Sequence, residues 1–124
     1  MALSRVVMRL TRNPGTRHPD GDDHRGYTIV APLDSSGHLD LELWRANKQD
    51  CIVLRFSPDE DEKADGWLTH RGSHWYFRYD EEDEGPDEPI YRLGDHALRL
   101  GEYLTIHEAD GEDLTYKITE VVKL

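Results

Sequence analysis

The sequence predicts a mainly β fold: a single small antiparallel barrel, partly open, or a sandwich, of six to eight short strands with at most one short helix. Short runs rich in β-branched and aromatic residues recur at a spacing of about ten residues along the 124-residue chain. Within most runs apolar and polar residues alternate, which is the period of a half-buried strand. Gly, Pro, Asn and Asp separate the runs, as turns require. These patterns do not give strand order, so both architectures stay open.

The charge and cysteine content exclude several classes. The chain has 15 Lys and Arg against 26 Asp and Glu, a net charge of -11, which repels nucleic-acid phosphates. Cys51 is the only cysteine, so no intramolecular disulfide can hold the fold. Arg5, Arg9 and Arg12 interrupt the apolar start of the chain, unlike a secretory signal, and no run reaches the roughly 20 apolar residues of a membrane helix. We therefore expect a cytoplasmic protein that binds neither nucleic acid nor membrane.

The first 26 residues are predicted to form a mobile N-terminal arm ahead of a single β-rich domain over residues 27–124. The arm carries five arginines and three aspartates. Its segment from Asn13 to Gly26 is rich in Pro, Gly and Asp, which is typical of a mobile loop. Residues 6–10 of the arm fit an edge strand or a frayed terminus. The core is therefore expected to come from residues after Gly26.

The segment that follows is predicted to hold the one helix. Tyr27 to Pro32 fits a short strand, and residues 34–37, DSSG, fit a turn. Asp40 can cap the first turn of a short helix with its carboxylate. The competing interpretation is a strand, because the leucines at 39, 41 and 43 alternate with polar residues. The helix formers of residues 45–50 favour the helix.

The clearest hairpin pattern also predicts an interaction surface. Residues 67–79, WLTHRGSHWYFRY, contain two β-rich runs that meet at Arg71, Gly72 and Ser73. The aromatic residues at 75, 77 and 79 share one face, which is expected in the core. The other face is predicted to carry His70, His74, Tyr76 and Arg78. Because Tyr and Arg concentrate binding energy at interfaces, we expect His74, Tyr76 and Arg78 to contact a protein partner.

Three more segments are predicted as strands. Cys51 to Phe56 alternates in hydrophobicity, and Ile90 to Leu93 is a short run that ends before a glycine. A closing hairpin joins residues 102–108 to residues 114–124 across an Asp-Gly turn. The closing hairpin is expected to contribute these core residues: Leu104, Ile106, Leu114, Tyr116 and Ile118.

Titratable residues give candidates for a site. His70, His96 and Glu102 are the candidate ligands of a metal ion or a small molecule, because imidazole and carboxylate suit zinc and related ions. His96 and Glu102 lie around one predicted turn, where a neighbouring carboxylate would let the histidine titrate near neutrality. The simpler interpretation is that Asp95 serves the turn. No catalytic residue and no cofactor is predicted, and Cys51 is expected to be a small buried hydrophobe.

The acidic segment after the aromatic hairpin partly matches a calcium-binding loop. Asp80, Glu82 and Glu84 stand at alternating positions, as in an EF-hand loop. The match fails at Tyr91, where that loop needs a bidentate glutamate. A solvated loop is therefore the favoured interpretation.

Three segments resemble a family of small uncharacterised bacterial all-β proteins: Met8 to Pro14 (MRLTRNP), Val30 to Asp40 (VAPLDSSGHLD) and Arg92 to Ile106 (RLGDHALRLGEYLTI). The resemblance implies a cytoplasmic bacterial protein that stands alone as a domain, and it implies no activity, cofactor or partner. The residues themselves favour a non-enzymatic binding or adaptor module that contacts another protein. The alternative is a small-molecule or metal-dependent site around the turn of His96 and Glu102.

Overall fold

The computed structural model describes residues 3–16, 18–59, 64–71, 74–78, 88–89, 97–107 and 112–124, with only the backbone for residues 64, 71, 74, 88, 89 and 107. No helix in these ranges is long and apolar enough to cross a bilayer. The predicted mainly β class with at most one short helix is confirmed. The strands are β1 Leu3–Leu10, β2 Asp22–Pro32, β3 Ile52–Phe56, β4 Ala64–Arg71, β5 His74–Arg78, β6 Glu88–Pro89, β7 Tyr103–His107 and β8 Asp113–Lys123. Between β2 and β3, helix α1 spans Leu41–Ala46 and a 3-10 turn spans Lys48–Asp50.

The eight strands of the described residues belong to one antiparallel sheet in the order β6-β5-β4-β3-β2-β1-β8-β7. Strands that follow one another in sequence are neighbours, apart from β6 and β7, and β8 returns to pair with β1. The sheet curls until Cα atoms of β6 and β7, its two outermost strands, approach within 8 Å. The architecture is therefore a partly open barrel.

The N-terminal strand lies inside the sheet, so the prediction of an edge strand within a mobile arm is wrong. β1 pairs with β2 on one side and with β8 on the other, and its residues Val6, Met8 and Leu10 belong to the core. β2 already begins at Asp22, within the predicted loop. The arginines of β1 occupy positions that alternate with the buried residues. Such charges mark an outward face and do not distinguish an edge strand from a central one.

A glycine allows β1 and β2 to approach closely near the end of β1. A Cβ atom on Gly26 would lie 1.9 Å from the carbonyl oxygen of Met8 and 2.8 Å from Cζ of Phe56. Gly26 pairs with Arg9, beside the point where the register of the two strands shifts. Only a residue without a side chain fits this contact.

The interior of the barrel is filled by aliphatic and aromatic side chains from most of the strands. Tyr27 is fully buried, and its ring centroid lies 5.0 Å from that of Phe77 and 5.2 Å from that of Tyr116. The predicted inward face of β5 is confirmed at Trp75 and Phe77, while Tyr79 lies outside the described residues. The core residues predicted from the closing hairpin are all buried: Leu104, Ile106, Leu114, Tyr116 and Ile118.

The connection from β2 to β3 forms the predicted turn and capped helix. Gly37 donates from its backbone N–H to the carbonyl oxygen of Asp34 at 3.1 Å and has a φ of 88°, which glycine tolerates. The carboxylate of Asp40 accepts from the backbone N–H of Leu43 at 3.1 Å. The helix is thus confirmed over the competing strand. It buries Trp44, whose indole N–H donates to the carbonyl oxygen of Leu68 at 2.8 Å.

Two predictions concern residues that the structure largely does not describe. Of the acidic segment from residue 80 to 91, only Glu88 and Pro89 are described, and their backbones pair with Phe77 and Tyr76 as β6. The calcium-loop positions and the strand predicted from Ile90 to Leu93 lie outside the described residues.

Candidate functional site: two grooves at one end of the barrel

One end of the barrel, here termed the α1 end, carries both grooves discussed below. It is the end at which β1 and β3 begin and at which β2 and β8 finish, as their antiparallel registers require. The β2–β3 connection with helix α1 lies there. Segment 97–100 packs onto that connection, because Leu98 donates from its backbone N–H to the carbonyl oxygen of Gly37 at 2.8 Å. The guanidinium of Arg99 donates to the carbonyl oxygen of Ser36, also at 2.8 Å.

The larger groove, termed the mouth groove, has a volume of about 570 Å³. It lies between the start of β1, the end of β8, the turn at residues 33–37 and segment 98–100. This volume falls within the range of small-molecule sites, and barrel mouths are a common place for such sites. Its aliphatic walls are formed by Leu33, Leu43, Leu98, Leu100 and Val121.

Most charged groups of the mouth groove are engaged with the surrounding loop. One carboxylate oxygen of Asp34 accepts from the Ser36 hydroxyl at 2.7 Å and from the backbone N–H groups of Ser36 and His38. The Ser36 hydroxyl, followed by these backbone groups, holds the pKa of Asp34 below its ordinary value. Asp40 is engaged as the helix cap and Arg99 with the Ser36 carbonyl. These charged groups form hydrogen bonds within the loop, and these bonds already compensate part of their charge.

The smaller groove, termed the aromatic groove, has a volume of about 330 Å³ and lies beside a cluster of three rings. The centroids of Trp44 and Trp75 are 5.7 Å apart, and the imidazole of His70 lies 4.7 Å from Trp75 and 6.1 Å from Trp44. The ammonium of Lys48 lies 4.9 Å from the centroid of Trp44, within cation–π distance. Among the described residues, the lining includes Lys48 and Arg78 but no aspartate or glutamate.

The predicted face of His70 is wrong. His70 is paired with Trp75 across β4 and β5, and it packs with that ring on the inner face. The predicted turn of three residues would have placed His70 opposite His74. The observed register instead pairs Arg71 with His74, which shifts the pairing by one residue from the predicted one. A shift of one residue moves every side chain to the other face of a strand.

The candidate metal and small-molecule ligands are not seen to converge. The imidazole of His70 packs against two tryptophans, and Glu102 is exposed where the chain enters β7. His96 lies outside the described residues, so its site stays a prediction. Within the described ranges, no three His, Cys, Asp or Glu side chains lie close enough to hold a metal ion. Residues 98–100, between His96 and Glu102, do line the mouth groove.

Two of the three predicted interaction residues lie on the outer face of the barrel. Tyr76 pairs with Thr69 and Arg78 pairs with Trp67, while the side chain of His74 lies outside the description. The same outer face continues onto β3, where Ile52 pairs with Trp67. Ile52 and Leu54 are 38% and 42% exposed. We term the following residues the outer patch: Ile52, Leu54, Trp67, Tyr76 and Arg78.

Cys51 is fully buried at the start of β3. Burial, followed by the negative charge of Asp50, raises the pKa of the Cys51 thiol to about 11. A thiol with a raised pKa and no access to solvent is a poor nucleophile.

We expect native protein at pH 8 to react with a thiol reagent such as Ellman's reagent at least 100-fold more slowly than protein unfolded in guanidinium chloride. The raised pKa also stabilises the fold below the unfolded thiol pKa of about 8.5. This contribution is lost as the pH rises towards the folded value. Rapid stoichiometric labelling of native protein at pH 8 would contradict the buried placement.

Sequence reasoning did not find either groove, because each is assembled from segments distant in sequence. Ser4 and Lys123, for example, meet only through the pairing of β1 with β8. The nearest signal was the turn between His96 and Glu102, whose apolar residues Leu98 and Leu100 prove to line the mouth groove. Comparison with known proteins found no matching family model, curated protein or solved structure.

Proposed function

We propose that this protein is a non-enzymatic binding module that holds an acidic segment of a partner protein against the outer patch and the adjoining aromatic groove. The observation that carries the proposal is the cross-strand row formed by Ile52, Trp67 and Arg78. It places an aliphatic, an aromatic and a cationic side chain side by side. From the resemblance to small bacterial proteins, we further propose that the module acts in the bacterial cytoplasm.

The composition of the outer patch is that of a binding surface. Interfaces draw most of their energy from a few Trp, Tyr and Arg residues surrounded by less important contacts. Trp67, Tyr76 and Arg78 supply these three residue types on two neighbouring strands. The exposed side chains of Ile52 and Leu54 add apolar area beside them. A partner would therefore find aromatic and cationic anchors next to an aliphatic surface.

The charge of the aromatic groove favours an acidic partner segment. Lys48 and Arg78 line this groove, and none of its described lining residues is acidic. The chain as a whole is strongly negative, at -11. At physiological ionic strength, however, charges separated by more than about 8 Å are largely screened. Among the described residues that line the groove, the cations of Lys48 and Arg78 would lie nearest to a partner's carboxylates.

The proposal is tested by affinity capture from a bacterial lysate with three versions of the protein. We expect a partner captured by the unmodified chain to bind at least tenfold more weakly to Trp67→Ala and to Arg78→Glu, because each change removes an anchor of the outer patch. Affinity is then measured by titration with the purified partner and with a synthetic peptide of its acidic segment.

Arg5→Glu is the matched control, since Arg5 is an exposed arginine on the outer face of β1, away from the outer patch. This control changes the net charge as Arg78→Glu does. A partner that binds equally to Trp67→Ala and Arg78→Glu, or that loses equal affinity on Arg5→Glu, would remove the outer patch from consideration.

A further inference from the structure

We propose that the mouth groove is a binding site for a medium-chain aliphatic carboxylate, with the carboxylate at Ser4 and Lys123 and the hydrocarbon chain against the leucine-rich walls. This site is separate from the outer patch, so failure of the protein-binding proposal would not contradict it, and the reverse also holds.

The first observation is a buried hydroxyl that lines the groove. Ser4 is 5% exposed and lies on the inner face of β1, in the alternation that also buries Val6 and Met8. Its hydroxyl makes no hydrogen bond to any residue that the structure describes. Buried polar groups in folded proteins nearly always have a partner. A ligand oxygen in the groove would supply the one that is missing.

The second observation is a lysine on the strand position directly opposite that serine. Lys123 pairs directly with Ser4 across β1 and β8, and both residues line the mouth groove. Directly opposed residues on antiparallel strands have Cβ atoms about 4.5–5.5 Å apart. Within the described part of the chain, the ammonium of Lys123 has no carboxylate partner. From these paired positions the serine hydroxyl and the ammonium of the flexible lysine chain can reach the same carboxylate, and both are hydrogen-bond donors.

The other charged groups of the groove restrict the ligand to a single negative charge. Asp34 and Asp40 also line it, and although both accept backbone hydrogen bonds, they remain carboxylates. Arg99 is engaged with a carbonyl oxygen. A dianion such as a phosphate monoester would be repelled by the two aspartates and would find only one uncommitted cation. A monocarboxylate carries one negative charge, which matches the one uncommitted cation of the groove.

The walls of the groove indicate what the ligand carries besides its carboxylate. Five aliphatic side chains line it, and Leu100 is 71% exposed at its rim. The volume of about 570 Å³ accommodates a flexible chain of about eight to twelve carbons, within the size that small-molecule pockets usually hold. A chain of this kind would cover the exposed leucine and shield the carboxylate from water. The apolar walls therefore favour an alkyl chain over a polar metabolite.

The site is tested by isothermal titration of the full chain with decanoate, below the concentration at which decanoate self-associates. Decanol is the neutral ligand of the same chain length, and decyl phosphate is the dianionic one. We expect decanoate to bind at least tenfold more tightly than either. The Ser4→Ala and Lys123→Met variants are expected to weaken decanoate binding about fivefold and tenfold, and to leave the weak binding of decanol unchanged.

Lys117→Met is the matched control, because Lys117 is an exposed lysine on the same strand whose ammonium lies over the ring of Tyr103, away from the groove. It is expected to bind decanoate as the unmodified chain does. Chemical shift changes confined to residues of the mouth groove would locate the ligand. The proposal is overturned if decanoate does not bind, if decanol or decyl phosphate binds as tightly, or if the Lys123 and Lys117 variants behave alike.

Discussion

Replacing Phe77 with alanine is expected to lower the free energy of unfolding by about 3–5 kcal/mol, the range found when a buried phenylalanine is truncated. The Phe77 side chain is fully buried, and its ring lies 5.0 Å from that of Tyr27 at the centre of the barrel. The change removes the apolar contacts of the ring and leaves a cavity that the surrounding sheet can fill only in part. Because small domains are stable by only about 5–15 kcal/mol, much of the protein's stability would be lost. Urea denaturation followed by tryptophan fluorescence measures the effect.

Leu54→Ala provides the comparison for this change, since it also truncates a large apolar side chain on a central strand. Leu54 is 42% exposed on the outer face, and exposed substitutions change stability little. We expect a loss below about 1 kcal/mol. Equal losses for the two variants would mean that the inner and outer faces of the sheet have been assigned wrongly.

The Gly26→Ala variant is expected to lose about 3 kcal/mol or more, an overpacking cost at the upper end of the usual range. The added methyl group would lie 1.9 Å from the carbonyl oxygen of Met8. This obstacle is backbone, so a side-chain rotation cannot relieve it, and β1 and β2 must move apart. Hydrogen exchange of the β1 amides, together with urea denaturation, would report both the loss of stability and its location.

Gly15→Ala is the control for this substitution. Gly15 has a φ of 83° but no atom within 4 Å of the position of an added Cβ. Only the strain of the left-handed backbone, about 1–2 kcal/mol, is then expected. If Gly26→Ala is no more destabilising than Gly15→Ala, the close approach of β1 and β2 does not exist.

The faces of the closing hairpin could be predicted from the sequence, because period-two alternation reports burial there directly. The inward residues Leu104, Ile106 and Ile118 of the closing hairpin were predicted in this way. Asp40 was predicted as a helix cap because its carboxylate acts locally. Alternation carries no information about which strands are neighbours. The central position of β1 was therefore missed.

A change of one residue in the length of a turn changes the register of the hairpin. This explains why His70 was predicted on the wrong face of the sheet. A loop of three residues and a loop of two residues fit the same Arg-Gly-Ser sequence, and they place His70 on opposite faces of the sheet. The mouth groove depends on strand order still more strongly. Ser4 and Lys123 are separated by almost the whole chain, and no local pattern relates a serine at one end to a lysine at the other.

The position of β1 between β2 and β8 has a consequence for folding during synthesis. Of the eight described strands, β1 is synthesised first, whereas β8, one of its two neighbours in the sheet, is synthesised last. Until β8 emerges, one side of β1 exposes unpaired N–H and C=O groups to other chains, which is a route to aggregation. Arg5 and Arg9 give β1 a charged outer face, which disfavours its association with other chains before β8 is synthesised. Pairing of strands that are far apart in sequence is also slow. The pairing of β1 with β8 is therefore expected to limit the folding rate.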